Sequence, residues 1–308
     1  MGNTHSFYFP SCDGQHRCHA QEWLPESPIR AVVQIVHGVS EHIGRYDRIA
    51  HFLNDHGILV CGEDHLGHGK TAVKGEYGYF AKKGGWELVT GDVRKLRQIQ
   101  GEKYPGAPYF LLGHSMGSFL TRTYLCRYPG ELSGAILSGT GQEPPALVAA
   151  GKAAAGVLCA LKGGNRVSPL IYKLSLGAYN EKFKPNRTRA DWISRDEKEV
   201  DRYLADPLCT FSMSTAMFRD MMGGLQYISD PKVLSRMDPH TPVYLFSGED
   251  DPVGAMGKGV EKVHGFFQSH GTKDLTLKLY PGGRHEMFNE LNREEVYQDL
   301  LHWLEQHI

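Results

Sequence analysis

Short apolar runs that alternate with stretches of helical periodicity are the feature that most constrains this chain. AVVQIV (Ala31–Val36), ILVCG (58–62), YFLLG (109–113), GAILSG (134–139), VYLFSG (Val243–Gly248) and LTLKLY (Leu275–Tyr280) read as strands. Between and after them Trp86, Val89, Val93 and Leu96 recur at helical spacing, as do Met116, Phe119, Leu120, Thr123 and Tyr124, and Val296, Leu300, Trp303 and Leu304. Strands alternating with helices predict an α/β fold with a mainly parallel sheet. A hairpin precedes them: HSFYF, a turn at Asp13-Gly14, then HRCHAQEW. In the last run Leu275, Leu277 and Leu279 alternate with Thr276, Lys278 and Tyr280, the pattern of a half-buried strand near a sheet edge. The rhythm stops between 141 and 237, where an Ala/Gly-rich helix, the polar stretch KFKPNRTRADW and the Met-rich FSMSTAMFRDMMGGL appear instead. The expected organisation is one α/β core, 1–140 with 238–308, and a helical insertion at 141–237.

Composition narrows the function classes. Thirty-four Lys and Arg against 35 Asp and Glu leave a net charge of −1, with no basic excess for a phosphate backbone, so no nucleic-acid partner is expected. Six cysteines in 308 residues, none as C-x-x-C, are too few for a disulfide scaffold. The start has no basic region followed by an apolar one. Met1-Gly2 with Ser6 fits a loose acylation pattern, but the segment after it reads as a strand. The apolar stretch ALVAAGKAAAGVLCAL (146–161) falls short of the roughly 20 residues needed to cross a bilayer. A cytoplasmic protein with reduced thiols is the expectation; the oligomeric state is not readable.

Gly113-His114-Ser115-Met116-Gly117 fits G-x-S-x-G between a strand and an amphipathic helix. A sharp turn there exposes the serine Oγ above the sheet, and the two glycines remove Cβ atoms that would strike neighbouring backbone. The helix N-terminus favours developing negative charge. A serine nucleophile needs a base, and the base an orienting carboxylate, each in a loop after a later strand. His285 follows the last strand and is the expected base. Glu249, Asp250 and Asp251 follow the strand before it; Asp251 is preferred, Asp250 is the alternative and Glu249 the weakest. The oxyanion needs two backbone donors. Met116, after the nucleophile, and Val39, after the third strand, are expected to supply them.

HGVSEHIGRY (37–46), EDHLGHGKT (63–71), GHSMG (113–117), GEDDPVG (248–254) and YPGGRHEMFNE (280–290) together resemble the monoacylglycerol lipase and lysophospholipase branch of the α/β hydrolases, also filed under a serine aminopeptidase label. The resemblance implies an eight-stranded, mainly parallel sheet flanked by helices, with a helical cap after the sixth strand. It also implies a Ser115–Asp251–His285 triad with Val39 and Met116 as oxyanion donors, and no cofactor. Polar contacts to a glycerol moiety would fall on Glu41, Arg45 and His114; the alternative is that His114 packs under the turn while Glu41 and Arg45 pair. Leu66 departs from the family, where Arg is common.

The implied activity is hydrolysis of medium- or long-chain acyl esters such as monoacylglycerols. Residues 146–161 and Met213, Met217, Met221 and Met222 could then form an acyl wall, or simply pack. Peripheral membrane contact through the cap is a further expectation. Lysophospholipase or general carboxylesterase activity is the alternative. A peptidase would need acidic residues for an α-amino group, with Asp191, Asp196, Glu197 and Glu199 as candidates; an idle binding module is argued against by the complete triad. Several motifs lead nowhere. Gly67–Thr71 ends like a phosphate loop, but Asp64 stands where the first glycine belongs. His65 and His68 lack a third ligand of clear spacing, and His285-Glu286-x-x-Asn289 lacks the second histidine, so no metal is expected.

Overall fold

The computed structural model describes residues 3–174 and 176–308; Met1 and Gly2, where the loose acylation pattern begins, lie outside them. The strands are β1 (Asn3–Pro10), β2 (Arg17–Leu24), β3 (Ala31–Val36), β4 (Ile58–Glu63), β5 (Tyr109–His114), β6 (Gly134–Ser138), β7 (Val243–Gly248) and β8 (Leu275–Tyr280). They form one eight-stranded sheet in the order β1-β2-β4-β3-β5-β6-β7-β8. The β1–β2 hairpin joins β4 antiparallel, and every pair from β4 to β8 is parallel.

The helices outside the interrupted stretch are α1 (Asp47–Asn54), α2 (Gly85–Lys103) and α3 (Met116–Arg127). Between β6 and β7 come α4 (Pro145–Lys162), α5 (Pro169–Leu174), α6 (Leu176–Tyr179), α7 (Glu197–Ala205), α8 (Thr215–Tyr227) and α9 (Pro231–Leu234). After β7 come α10 (Lys258–His270) and α11 (Arg293–Glu305). The central strands β3 to β7 are buried at every position because both faces are covered, and apolar side chains fill most of those positions. On β3, Val32 and Val36 face a cluster with Val89 and Val93 of α2, Leu120 and Tyr124 of α3, and Val260 and Val263 of α10. Ala31, Val33 and Ile35 face the opposite cluster with Ile49 and Leu53 of α1 and Leu300 and Trp303 of α11. Leu66 packs into the first of these clusters, beside Phe80.

Two elements differ from the sequence expectation. β8 lies at the sheet edge and is half-buried, but its second face is covered toward its end: Thr276 is exposed, whereas the next two residues on that face are not. Tyr280 is fully buried with its hydroxyl on Asp299 of α11 at 2.7 Å, and Lys278 reaches Asp299 at 2.5 Å and Glu295 at 3.1 Å. A helix laid over that face turns an alternating pattern into a two-sided strand. α3 likewise is buried all round, not along one stripe, because α8 covers the side turned from the sheet. Gly224 makes that layer possible: a Cβ there would strike the Trp86 indole of α2.

The segment between β6 and β7 is tied to α3 where it departs and where it returns. The fully buried Arg122 guanidinium donates to the Gly141 carbonyl at 3.0 Å, to Gln142 Oε1 at 2.9 Å and to the Ile228 carbonyl at 3.4 Å. Gln142 Nε2 then donates to Ser229 Oγ at 2.7 Å. The helix α4 runs longer than the apolar stretch read in the sequence: among the described residues α4, with 18 residues, is the one helix that by length and composition alone could cross a membrane. Only 11% of it is buried.

Candidate active site

Ser115 sits between β5 and α3 with φ +53° and ψ −121°, a region a side chain enters only when its surroundings over-determine it. Its N–H is held by the Ser138 carbonyl of β6 at 2.9 Å. The glycines of the turn are there for close approach. A Cβ on Gly117 would strike the Val36 and His37 carbonyls, and one on Gly113 would strike the Gly117 carbonyl. A Cβ on Gly38 would sit 2.7 Å from Glu41 Oε1 and 3.0 Å from the Ser115 Cβ. The start of α3 and the loop after β3 are thereby pressed together beside Ser115. The Met116 and Val39 N–H groups donate to no other described residue.

His285 follows β8 and is buried, with Nδ1 3.0 and 2.9 Å from the two carboxylate oxygens of Asp251. Of the three neighbouring carboxylates, Glu249 and Asp250 are exposed and Asp251 is buried. Asp251 also accepts from Ser247 Oγ at 2.8 Å and from the Val253 N–H at 2.9 Å. Burial alone would raise its pKa, but His285 and these donors hold the carboxyl below the usual range. Burial opposes charge on the His285 ring, yet the Asp251 carboxylate more than offsets it, and His285 lies above the ordinary histidine value. With Nδ1 turned to Asp251, Nε2 is the nitrogen left for a substrate-side proton.

Two aromatic rings flank this imidazole. His114, the residue before Ser115, lies 4.7 Å from it between centroids, and Trp192 lies 5.0 Å away. Burial and the neighbouring His285 push His114 down to about 4, so it is neutral at neutral pH, with Nδ1 3.2 Å from Ser138 Oγ. The segment carrying Trp192 runs along the His285 loop: the Trp192 carbonyl accepts from the His285 N–H at 3.5 Å and the Ile193 carbonyl from the Glu286 N–H at 2.7 Å. Trp192 was not readable as a site residue, since an aromatic ending a polar stretch carries no catalytic signature.

Glu41 and Arg45 are committed to each other and to neighbours. Glu41 Oε1 accepts from the Gly38 N–H at 2.5 Å and from Tyr46 at 2.9 Å, while Oε2 accepts from Arg45 at 2.8 Å. Arg45 also grips Glu286 in a fork at 2.8 and 2.7 Å. Burial works against both charges of that fork, but each outweighs it for the other: Glu286 is held below and Arg45 above its ordinary range. Glu286, adjacent to His285, was passed over as half of an incomplete metal motif. Beneath the loop, the His37 and His65 rings stack at 3.9 Å, with His65 Nε2 3.2 Å from the His37 carbonyl. Asp64 accepts from the Ile43 and Lys70 N–H groups at 2.9 and 2.8 Å, which is why that position is not a phosphate-loop glycine.

A cleft of about 240 Å³ lies over α3, lined by Phe119, Leu147, Val148, Leu158, Met221 and Met222 among others. All four methionines of the expected wall are buried in the core cluster, and Met221 and Met222 also line the cleft. The acidic residues considered for an α-amino group are engaged elsewhere. Asp191 accepts from the Arg187 N–H at 2.7 Å, Asp196 caps α7 and pairs with Arg293 at 3.0 Å, Glu199 pairs with Arg48 at 2.8 Å, and the exposed Glu197 lies 3.9 Å from Arg187.

A mainly parallel eight-stranded sheet with a strained serine after β5, an acid after β7 and a histidine after β8 is the α/β-hydrolase fold. The model of the serine aminopeptidase S33 family matches residues 27–292, and the chain belongs to that family. It is 33% identical over 291 residues to a monoacylglycerol lipase of Mycolicibacterium smegmatis, covering 93% of this chain and 92% of the relative. It is 30% identical to the monoglyceride lipase of Mus musculus over 95% of this chain and 86% of that one. A thermostable carboxyl esterase from Bacillus coagulans, solved with glycerol, superposes with a TM-score of 0.92 at 30% identity, covering 99% of each chain.

Gly139 is the tightest packing constraint on the imidazole: it has φ +58°, and a Cβ there would sit 2.9 Å from His285 Cε1 and 3.0 Å from Nδ1. Gly139→Ala is expected to displace the ring and lower ester turnover by ~10²-fold. Urea unfolding should show a stability loss of only about 1–2 kcal/mol.

Proposed function

We propose that this chain hydrolyses monoacylglycerols and related esters of medium or long acyl chains through an acyl-enzyme on Ser115. The chain is a serine ester hydrolase of the monoacylglycerol lipase kind. The observation that carries the finer reading is the apolar cleft over α3, the helix that begins at Met116 directly after the serine.

The chemistry assigns a role to each group. Ser115 Oγ attacks the ester carbonyl while His285 Nε2 takes its proton, and Asp251 fixes the tautomer and stabilises the imidazolium. The Val39 and Met116 N–H groups receive the oxyanion. His285 returns the proton to the departing alcohol and then activates water to release the acid. His114 and Trp192, packed against the buried His285, keep bulk water from this base. Residues 141–237 act as the cap over this site. Phe119, Leu147, Val148, Leu158, Met221 and Met222 receive the acyl chain, the methionines adapting to its shape. Glu41, Arg45 and His114 serve as positioning residues, because a glycerol bound through them would have to displace a buried ion pair.

The cap also supplies a surface for peripheral contact with the lipid that holds the substrate. Leu147 is 59% exposed, Val157 58% and Leu161 76%, all on α4, with Leu170 of α5 at 60% beside them. An apolar face of that kind adsorbs to a bilayer without spanning it. Co-sedimentation with phosphatidylcholine vesicles is expected for the native chain and strongly reduced for Leu161→Glu combined with Leu147→Glu. A native chain that stays in the supernatant would refute the contact.

Turnover of octanoyl and longer p-nitrophenyl esters is expected to exceed that of the acetate in kcat/KM by at least about tenfold, given roughly 0.8 kcal/mol per buried methylene. A preference for acetate would sink the acyl-cleft assignment. Ser115→Ala should remove ~10⁶ of the rate, and an unchanged rate would remove this site from the chemistry.

The acid limb of kcat/KM follows His285. Its pKa is raised, so the inactive imidazolium persists to higher pH, and activity appears only as pH rises through a midpoint above the ordinary value of about 6.5. Asp251→Asn removes the charge that raises it. The limb should then move to lower pH while the rate falls by ~10⁴.

A further inference from the structure

We propose that His42, Asp206 and Cys209 form a binding site for a zinc-class divalent cation that ties the cap to the loop after β3. Among the described residues one group of His, Cys and carboxylate side chains has its ligand atoms close enough for a shared metal, and it is this one, with all three within 4.8 Å of one another. His42 Nε2 and Asp206 Oδ2 are 2.9 Å apart. The histidine ends the loop that carries Val39, and the other two residues lie just past α7 in the segment proposed as the cap.

The local sequence explains why the three converge. In Asp206-Pro207-Leu208-Cys209 the chain leaves α7 through a tight turn. Asp206 Oδ1 accepts the Leu208 N–H at 2.8 Å and the Asp206 carbonyl accepts the Cys209 N–H at 3.1 Å. The turn therefore consumes one carboxylate oxygen and leaves Oδ2 for His42, with the Cys209 Sγ brought to the same side. On the other side His42 opens the helical turn Ile43–Tyr46 in extended backbone, and its Nε2 reaches Asp206 Oδ2.

The ligand chemistry selects the ion. One imidazole, one carboxylate and one thiolate form a mixed N/O/S set that suits zinc and its neighbours and does not suit calcium or magnesium, which want oxygen alone. Tetrahedral zinc bonds of about 2.0–2.3 Å place ligand atoms ~3.5 Å apart. Reaching that from the present positions takes a side-chain movement of roughly an ångström. The side chains of His42 and Asp206 are 16% and 30% exposed, so the ion can enter and water can take the fourth position. Binding releases the thiol proton to solvent, and the carboxylate and thiolate together neutralise the ion.

Occupancy would act on the loop because the cap already rests there: Ser40 Oγ donates to the Phe211 carbonyl at 2.6 Å, two residues beyond Cys209. A metal bridge added beside that bond holds the turn after α7 against the oxyanion loop and restrains the cap. The inhibitory consequence rests on the proposed hydrolase reading; the binding itself does not.

Titrating the full, reduced chain with Co²⁺ as a spectroscopic probe tests the binding independently of activity. One equivalent is expected to bind with a sulfur-to-cobalt charge-transfer band that added Zn²⁺ removes. The band should vanish in Cys209→Ser, weaken at least tenfold in apparent affinity in Asp206→Asn, which keeps the thiol, and persist in Cys12→Ser, which removes the exposed cysteine. No band in the native chain, or a band that survives Cys209→Ser, overturns the site. Zn²⁺ should also slow ester turnover of the native chain at the concentration that displaces Co²⁺, and leave Cys209→Ser unaffected. Undiminished native turnover at saturation overturns the tie to the oxyanion loop.

Discussion

The active site depends first on a contact between two pieces of backbone. Gly117 at the start of α3 lies against the Val36 and His37 carbonyls at the end of β3, where no side chain fits. Gly38 repeats the arrangement one step on, beside the Ser115 Cβ. These approaches bring the start of α3 and the loop after β3 together at Ser115. The turn that allows it is strained, at a cost of about 1–3 kcal/mol. The Ser138 carbonyl on the Ser115 N–H and the burial of α3 on every side hold it in place.

Charge joins the loops that this contact leaves free. Glu41 holds the loop after β3 through the Gly38 N–H, Glu286 belongs to the loop after β8, and Arg45 bridges the two carboxylates. Asn289 adds a bond to Glu286 at 2.9 Å. A buried network of this kind contributes little net stability relative to an apolar packing, but breaking one partner leaves a buried charge and costs about 3–5 kcal/mol. Its effect is to allow one relative placement of the oxyanion loop and the histidine loop. The same loop is gripped from the opposite side by the carbonyls of Trp192 and Ile193. His285 is thus located by three separate elements: the strand-end acid Asp251, the Arg45 fork through its neighbour Glu286, and the segment around Trp192.

Much of this was legible because it is local. The strand runs, the helix stripe of Trp86, Val89, Val93 and Leu96, and the turn 113–117 are set by neighbours in sequence, and periodicity reports them directly. The strained turn at Ser115 and the Asp251–His285 pair were legible by position, since each residue follows a strand end. What escaped depends on partners far away in the chain. Tyr280 reads as a solvent-side residue until α11 lies over it. Glu199 reads as a solvated helix residue, yet it is buried against Arg48, 151 residues away. Glu286 and Trp192 gain their roles only through Arg45 and His285. Nothing in a single sequence marks a pairing across such distances, because the residues involved are ordinary until they meet.

The segment between β6 and β7 is mechanically uneven, and that unevenness fits the two tasks proposed for it. Around Trp192 it is bonded to the catalytic loop through main-chain carbonyls, and Arg284 adds a bond from its guanidinium to the Ser194 carbonyl at 3.2 Å. A wall over a general base must stay fixed, since a small displacement of the imidazole costs a large factor in rate. Around α4 the same segment packs along α8 but leaves most of the helix open to solvent. The helix is little buried, is built largely of Ala and Gly, and meets the unbranched side chains of Met221 and Met222 across the cleft. Few buried apolar contacts make local opening inexpensive, and methionine repacks around shapes that branched residues would reject. Arg122 holds the departing and returning ends of the segment to α3, so movement of α4 is confined between fixed points. On the proposed function, a site built this way varies the acyl chain it accepts while keeping the proposed base, acid and oxyanion donors in one geometry.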